Sequence, residues 1–279
     1  MTLASLPVAR TLLFVPGDQP ARLPKACAAG AGIVVIDLED AVPPARKDEA
    51  REHVRHWLDG LSAGGARPPL ALRTNGVGTP WFDADARLAG HPAIAALVLP
   101  KAEDPATLGV LARSLPGKDI VPLVETAAGM AHIAELAAVP GVLRLAFGSI
   151  DFQAELDIEA DAEERELAPY RAQLVLVSRL AGLQPPVDGI TTELNDVERI
   201  AQHAQRSRRL GFGGMFCIHP RQIDPVDRSF SPTPAQLEWA QRVLAADAAS
   251  GGAPVAVDGK MVDKPVVLKA QALLRAGAR

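Results

Sequence analysis

Cysteine is scarce: Cys27 and Cys217 are the only two in 279 residues, and neither stands in a paired motif. That excludes a disulfide framework and a cysteine-based zinc site, and makes a reducing cytoplasm the expected compartment. Aromatic residues are 4% of the chain, with one tyrosine. No basic stripe interleaved with aromatics is present to stack on nucleic acid, so no nucleic-acid partner is expected. Neither sign of charge dominates, 29 basic against 33 acidic side chains leaving −4. The most basic stretch, Arg206–Ser207–Arg208–Arg209, reads as a solvated last helical turn. No apolar run nears the ~18 residues of a membrane span, and Met1 to Arg10 lacks the pattern of a signal peptide, so no membrane association is expected. No GxGxxG or GxxxxGK[ST] follows an apolar run, which removes the usual phosphate cradles. Ser149 lacks a G-x-S-x-G setting and no base flanks either cysteine, so covalent catalysis is not favoured.

What the chain does have is a series of short apolar runs, several ending in charge. Asp37 follows Ile33–Ile36, Arg73 follows Leu70–Leu72, Glu125 follows Ile120–Val124, and Asp151 comes shortly after Leu143–Phe147. Runs of this kind read as strands buried on both faces. Further strands are read at Leu12–Val15, Ile94–Leu99 and Met215–Ile218, with a weak seventh at Val187–Ile190. Helical patterns separate them: Ala21–Ala29, Arg46–Leu61, Phe82–Leu88, Pro105–Ser114, Gly129–Ala138, Glu163–Leu180, and one to Leu210 that Asn195 would cap with Glu198 completing a capping box. Eight strands alternating with helices over about 220 residues predict an α/β fold of the TIM (β/α)₈ barrel type. A doubly wound sheet fits the strand count and the first turn poorly. The barrel is expected over residues 1–232. A C-terminal helical extension over 233–279, with helices at Pro234–Ala248 and Met261–Ala276, is too small to stand alone. It is expected to pack on its own barrel or on a neighbouring subunit.

Parallel barrels work at the C-terminal ends of their strands. Glu125 and Asp151 would therefore approach each other as metal ligands, the alternative being a helix-capping Asp and a solvated Glu. Hard oxygen donors without His or Cys favour Mg²⁺, or Mn²⁺, over Zn²⁺. Asp37, Glu39 and Asp40 form an acidic turn, read either as acceptors for metal-bound water or as caps for the following helix. Arg73, with Thr74 and Asn75, offers bidentate donors to a carboxylate or oxyanion. Arg10, Arg22, Lys25 and Lys101 could face phosphates. His219 is either an acid–base group or a structural residue before Pro220.

In order along the chain, Arg10–Gly17 (RTLLFVPG), Asp37–Val42 (DLEDAV), Leu72–Asn75 (LRTN), Leu99–Lys101 (LPK), Glu125–Thr126, Phe147–Phe152 (FGSIDF), Gly211–Phe212, Ile218–Pro220 (IHP) and Gly259–Pro265 (GKMVDKP) form one pattern. The chain resembles the citrate lyase β-subunit-like branch of the HpcH/HpaI aldolase/citrate lyase family. The resemblance implies a TIM barrel, Mg²⁺ held by Glu125 and Asp151, and substrate contacts from Arg73 and Glu125. It also implies that Asp263 acts catalytically in a neighbouring subunit's site, within a homotrimer or hexamer. The activity implied is cleavage or formation of a 3-hydroxyacyl-CoA thioester, such as malyl-CoA or citramalyl-CoA, with an acyl-CoA and a 2-oxo acid as the other partners. Arg10, Arg22 and Lys25 would then meet CoA. A malyl-CoA thioesterase, a lyase on an acyl-carrier thioester and an inactive binding subunit are the alternatives. A free-pyruvate aldolase is disfavoured, because Asp37–Leu38–Glu39–Asp40 replaces its His–Asp base. Two departures stand out: Ala154–Glu155–Leu156–Asp157 shifts the acidic residue of Asp-Phe-x-x-Asp-Leu-Gly and lacks its Gly, and Met215 replaces a common Lys.

Overall fold

The computed structural model describes residues 6–62, 65–251 and 253–277. Eight parallel strands close into a barrel in chain order: β1 (Thr11–Pro16), β2 (Ile33–Asp37), β3 (Leu70–Arg73), β4 (Ile94–Leu99), β5 (Asp119–Val124), β6 (Ala146–Phe147), β7 (Val187–Asp188) and β8 (Gly214–Cys217). β8 pairs back onto β1. The expected TIM (β/α)₈ barrel is the observed fold, and the weak seventh strand is present. Alternate residues point inward, and Leu12, Val35, Val98, Val121, Val187 and Phe216 belong to one buried cluster. Aliphatic runs without polar alternation form such strands because helices cover their other face. Those helices are α1 (Leu23–Cys27), α2 (Lys47–Asp59), α3 (Phe82–Ala89), α4 (Pro105–Ser114), α5 (Ala127–Ala131), α6 (Ile133–Ala137), α7 (Ser149–Glu155), α8 (Ala168–Leu180), α9 (Val197–Leu210) and α10 (Ile223–Phe230). No helix among the described residues is long and apolar enough to cross a membrane.

Local structure departs from expectation at a few places. β6 is shorter than Leu143–Phe147, and just before it the fully buried Arg144 reaches the barrel floor. It donates from Nη1 to the Ala9 carbonyl at 3.0 Å and from Nη2 to the Pro186 carbonyl at 3.2 Å. The helix expected over Gly129–Ala138 is broken at His132, whose Nδ1 lies 2.9 Å from the Glu103 carbonyl. α8 starts at Ala168 rather than Glu163, since Glu164 takes a φ of +50° that a helix does not admit. The cap of α9 is Asp196, which accepts from the Arg199 N–H at 2.9 Å, and not Asn195, which accepts from Arg221. α7, the helix carrying Asp151, and α10 were not expected.

The chain divides into two compact units, Met1–Asp227 and Arg228–Arg279. In the second, α11 (Pro234–Ser250), a hairpin of β9 (Val255–Val257) and β10 (Lys260–Val262), and α12 (Lys264–Gly277) share a core of Ala240, Val243, Val262, Val267 and Ala270. The hairpin corrects the helix start read at Met261. Asp258 and Gly259 have φ of +52° and +72°, the pair of positive φ values that an Asp-Gly hairpin turn requires. Asp263 follows and caps α12, its Oδ1 accepting from the Val266 N–H at 3.4 Å.

Candidate functional site

Consecutive strands deliver charge to one rim. Asp37 and Arg73 end β2 and β3 and are register partners. Lys101 stands two residues past β4, Glu125 directly follows β5, and Asp151 lies in the first turn of α7 after β6. Asp37, Asp40, Arg73, Glu125 and Asp151 line a cavity of about 400 Å³, together with Phe14, Gly148, Ile190 and Phe216.

Arg73 is the hub. Its Nε and Nη2 donate to the two oxygens of Asp37 at 2.8 and 2.6 Å. Its Nη1 lies 2.9 Å from Glu39 and 3.6 Å from Asp40, while the guanidinium stacks on the Phe14 ring at 4.5 Å. Burial works against this charge, but Asp37, then Glu39 and Asp40, more than offset it and hold the guanidinium above its ordinary value. Asp37 also accepts from the N–H groups of Glu39 and Ala41. Asp37 thus accepts four hydrogen bonds, two of which fix Arg73.

Glu125 is buried between two strand ends. Its Oε1 accepts from the Lys101 N–H at 2.8 Å. Its Oε2 rests against Gly148, where any Cβ would overlap it. That oxygen therefore faces β6, the strand leading to Asp151. Burial, then the Glu39 and Asp151 charges, push the Glu125 carboxyl up to about 8. Burial likewise pushes Glu39 up.

The donor set fits a hard divalent cation. Five carboxylates (Asp37, Glu39, Asp40, Glu125, Asp151) meet three cations, Arg73, Lys101 and the buried Lys47, so with all of them ionised two negative charges are in surplus. Two carboxylates with room for further oxygens is how Mg²⁺ is usually held. Gly148→Ala is expected to push the whole Glu125 residue aside, since the new Cβ would meet Glu125 Cβ at 2.5 Å as well as its carboxylate, and to weaken Mn²⁺ binding at least about tenfold, by titration calorimetry. Unaltered affinity would show that this orientation is immaterial.

The remaining expected residues scatter. Arg22 and Lys25 are exposed on the segment that leaves β1 at the same rim. Arg10 does not join them on that rim. It precedes β1, so it lies at the barrel's opposite end, with its carbonyl accepting from Met215 N–H and its guanidinium 3.5 Å from Asp227. His219 takes the structural option, its Nδ1 accepting from the Arg221 N–H at 3.1 Å. Asp263 belongs to the second unit.

Sequence reasoning missed what braces Glu125. Lys101 Nζ lies 3.1 Å from Glu39 Oε1 and 4.0 Å from Glu125 Oε1. Glu155 Oε2 accepts from the Ala127 N–H at 2.8 Å, tying the end of α7 to the segment after Glu125. Glu155 is four residues past Asp151, so the acidic residue of the motif is lengthened rather than shifted. Asp157, at the motif's Gly, keeps a φ of +52°. Counting from Asp151 would have found both.

A closed eight-stranded parallel barrel with flanking helices places the chain among the TIM-barrel α/β proteins, here with an acidic, arginine-centred rim. The chain belongs to the HpcH/HpaI aldolase/citrate lyase family, whose model matches residues 10–220. It is 35% identical over 268 residues to a citrate lyase subunit beta-like protein of Mycobacterium tuberculosis, covering 94% of this chain and 93% of that one. It is 32% identical to a (3S)-malyl-CoA thioesterase of Cereibacter sphaeroides, covering 96% and 95%. The crystal structure of CitE from Mycobacterium tuberculosis in complex with magnesium, acetoacetate and coenzyme A superposes with a TM-score of 0.84 at 33% identity, covering 97% and 98%.

Proposed function

We propose that the protein is a Mg²⁺-dependent carbon–carbon lyase that cleaves or forms a 3-hydroxyacyl-CoA thioester such as malyl-CoA or citramalyl-CoA. The observation that carries this is that Glu125 and Asp151 line one cavity with an arginine that Asp37 holds in place. Support comes from the magnesium, acetoacetate and coenzyme A held by the similar CitE structure.

Glu125 and Asp151 would hold the cation, which when bound supplies a Lewis acid for the hydroxyl and carboxylate oxygens of the substrate. Arg73 stands on the same cavity wall to receive oxyanionic charge as the bond beside the thioester breaks. Its position is set before any ligand arrives, because Asp37 fixes two of its three nitrogens. Cleavage leaves a thioester enolate that needs a proton. On this reading Asp263, reaching in from a neighbouring subunit of a homotrimer or hexamer, donates it. On this reading Arg22 and Lys25, both exposed, meet the phosphates of CoA. The compartment is the cytoplasm.

A thioesterase outcome is favoured by the Cereibacter relative. Incubating the protein with Mg²⁺ and malyl-CoA or citramalyl-CoA separates the two. Glyoxylate or pyruvate with an acyl-CoA is the expected result, whereas free hydroxy acid with free CoA would replace lyase by hydrolase.

A further inference from the structure

We propose that Lys101 is a positioning residue, a cross-brace that sets Glu125 directly and Arg73 through Glu39. This rests on the reading of the rim as a cation and oxyanion site. The backbone is the first observation. Lys101 holds a φ of +47°, a region where glycine is at ease and a residue with a side chain is strained. That conformation aims its N–H at Glu125 Oε1, 2.8 Å away. A glycine would supply the same N–H without strain, so the side chain must account for the lysine.

The side chain completes a row of alternating charges. Arg73 Nη1 lies 2.9 Å from Glu39 Oε2, and Lys101 Nζ lies 3.1 Å from Glu39 Oε1 and 4.0 Å from Glu125 Oε1. Lys101 is absent from the wall of the cavity that holds Glu125 and Asp151. It lines a second cavity of about 480 Å³ with Asn75 and Trp81, on the far side of Glu39. Its nearest charged partners are the two carboxylates, and it is through them that it reaches the site. Without the ammonium, Glu39 bears on Arg73 alone and draws it off the cavity wall, while repelling Glu125.

Lys101→Gly and Lys101→Arg in the full chain test this. Lys101→Gly keeps the N–H and the positive φ and removes the charge, whereas Lys101→Arg keeps the charge. In Lys101→Gly, kcat on malyl-CoA with Mg²⁺ is expected to fall about 30-fold with KM within about threefold, an interaction made chiefly in the transition state. Pyruvate binding to the Mn²⁺-loaded chain should weaken about tenfold, following Arg73. Mn²⁺ still binds one site per chain, and Tm holds or rises by about 2 °C as strain is relieved. Lys101→Arg should recover turnover to within about fivefold. A purely structural lysine would instead lower Tm and turnover together.

Turnover and pyruvate affinity at wild-type levels in Lys101→Gly would overturn the brace and leave the site reading standing. Equal losses in Lys101→Arg and Lys101→Gly, or a fall in Tm that tracks the loss, would do the same. If the wild type binds Mn²⁺ but spares both thioesters, the substrate reading fails and pyruvate affinity alone judges Lys101. A wild type that binds no Mn²⁺ overturns the site reading and this proposal with it.

Discussion

Glu125→Gln is expected to abolish divalent-cation binding and to lower kcat/KM by about 10³, with the fold intact. The magnitude follows from losing a Lewis acid worth several kcal/mol, at about tenfold per 1.4 kcal/mol. The fold survives because a glutamine oxygen still accepts from the Lys101 N–H, and the amide matches the carboxylate in volume. Stability should hold or improve at high pH. A carboxyl raised by burial to about 8 stabilises the fold in its protonated form, and that contribution is lost as pH rises from the ordinary 4.5 through 8. The glutamine variant has no such loss. The same raised value makes the cation compete with a proton on Glu125. Mn²⁺ affinity in the wild type is therefore expected to tighten about tenfold per pH unit below pH about 8 and to level off above it. Calorimetric titrations at several pH values check both parts. Wild-type affinity in Glu125→Gln would remove this side chain from the cation site.

The rim was legible because a parallel barrel converts strand direction into place. Asp37, Arg73 and Glu125 each close an apolar run, so each had to emerge on one face. The same rule, applied in the other direction, puts Arg10 at the opposite end, since it precedes its run. What could not be read were groups whose partners come from distant segments. Lys101 finds Glu39 and Glu125, and Glu155 finds Ala127, only once neighbouring strands are in register. The buried Arg144 was hidden for the same reason, its partners lying 135 and 42 residues away along the chain. The hairpin after α11 was within reach, because Asp258–Gly259 between Val255–Val257 and Met261–Val262 is a local turn signal. Short flanks hid it. Asp196 displaced Asn195 as a cap because the two residue types are equivalent at that position and only backbone geometry separates them.

Arg73→Met is expected to cost about 3–5 kcal/mol of stability as well as lowering kcat by about 10²–10³. The stability loss comes from what is left behind. Asp37 is 1% exposed and takes both its strongest hydrogen bonds from Arg73, so removing the guanidinium strands a buried carboxylate. Methionine fills much of the space and keeps the contact with Phe14, so the loss comes mainly from the missing charge and little from a cavity. Adding Asp37→Asn removes the stranded charge while its amide oxygen still accepts from the Glu39 N–H. The double variant is therefore expected to regain about 1–3 kcal/mol in urea unfolding, because a neutral buried amide costs far less than an unpaired ion. Turnover should stay at the level of Arg73→Met, since nothing replaces the oxyanion donor. Stability and activity thus part company in the double variant, which separates the fold-holding half of the Asp37–Arg73 pair from its half in the chemistry. Recovery of both together would mean that Arg73 serves the structure alone and that oxyanionic charge is met by another group on the rim.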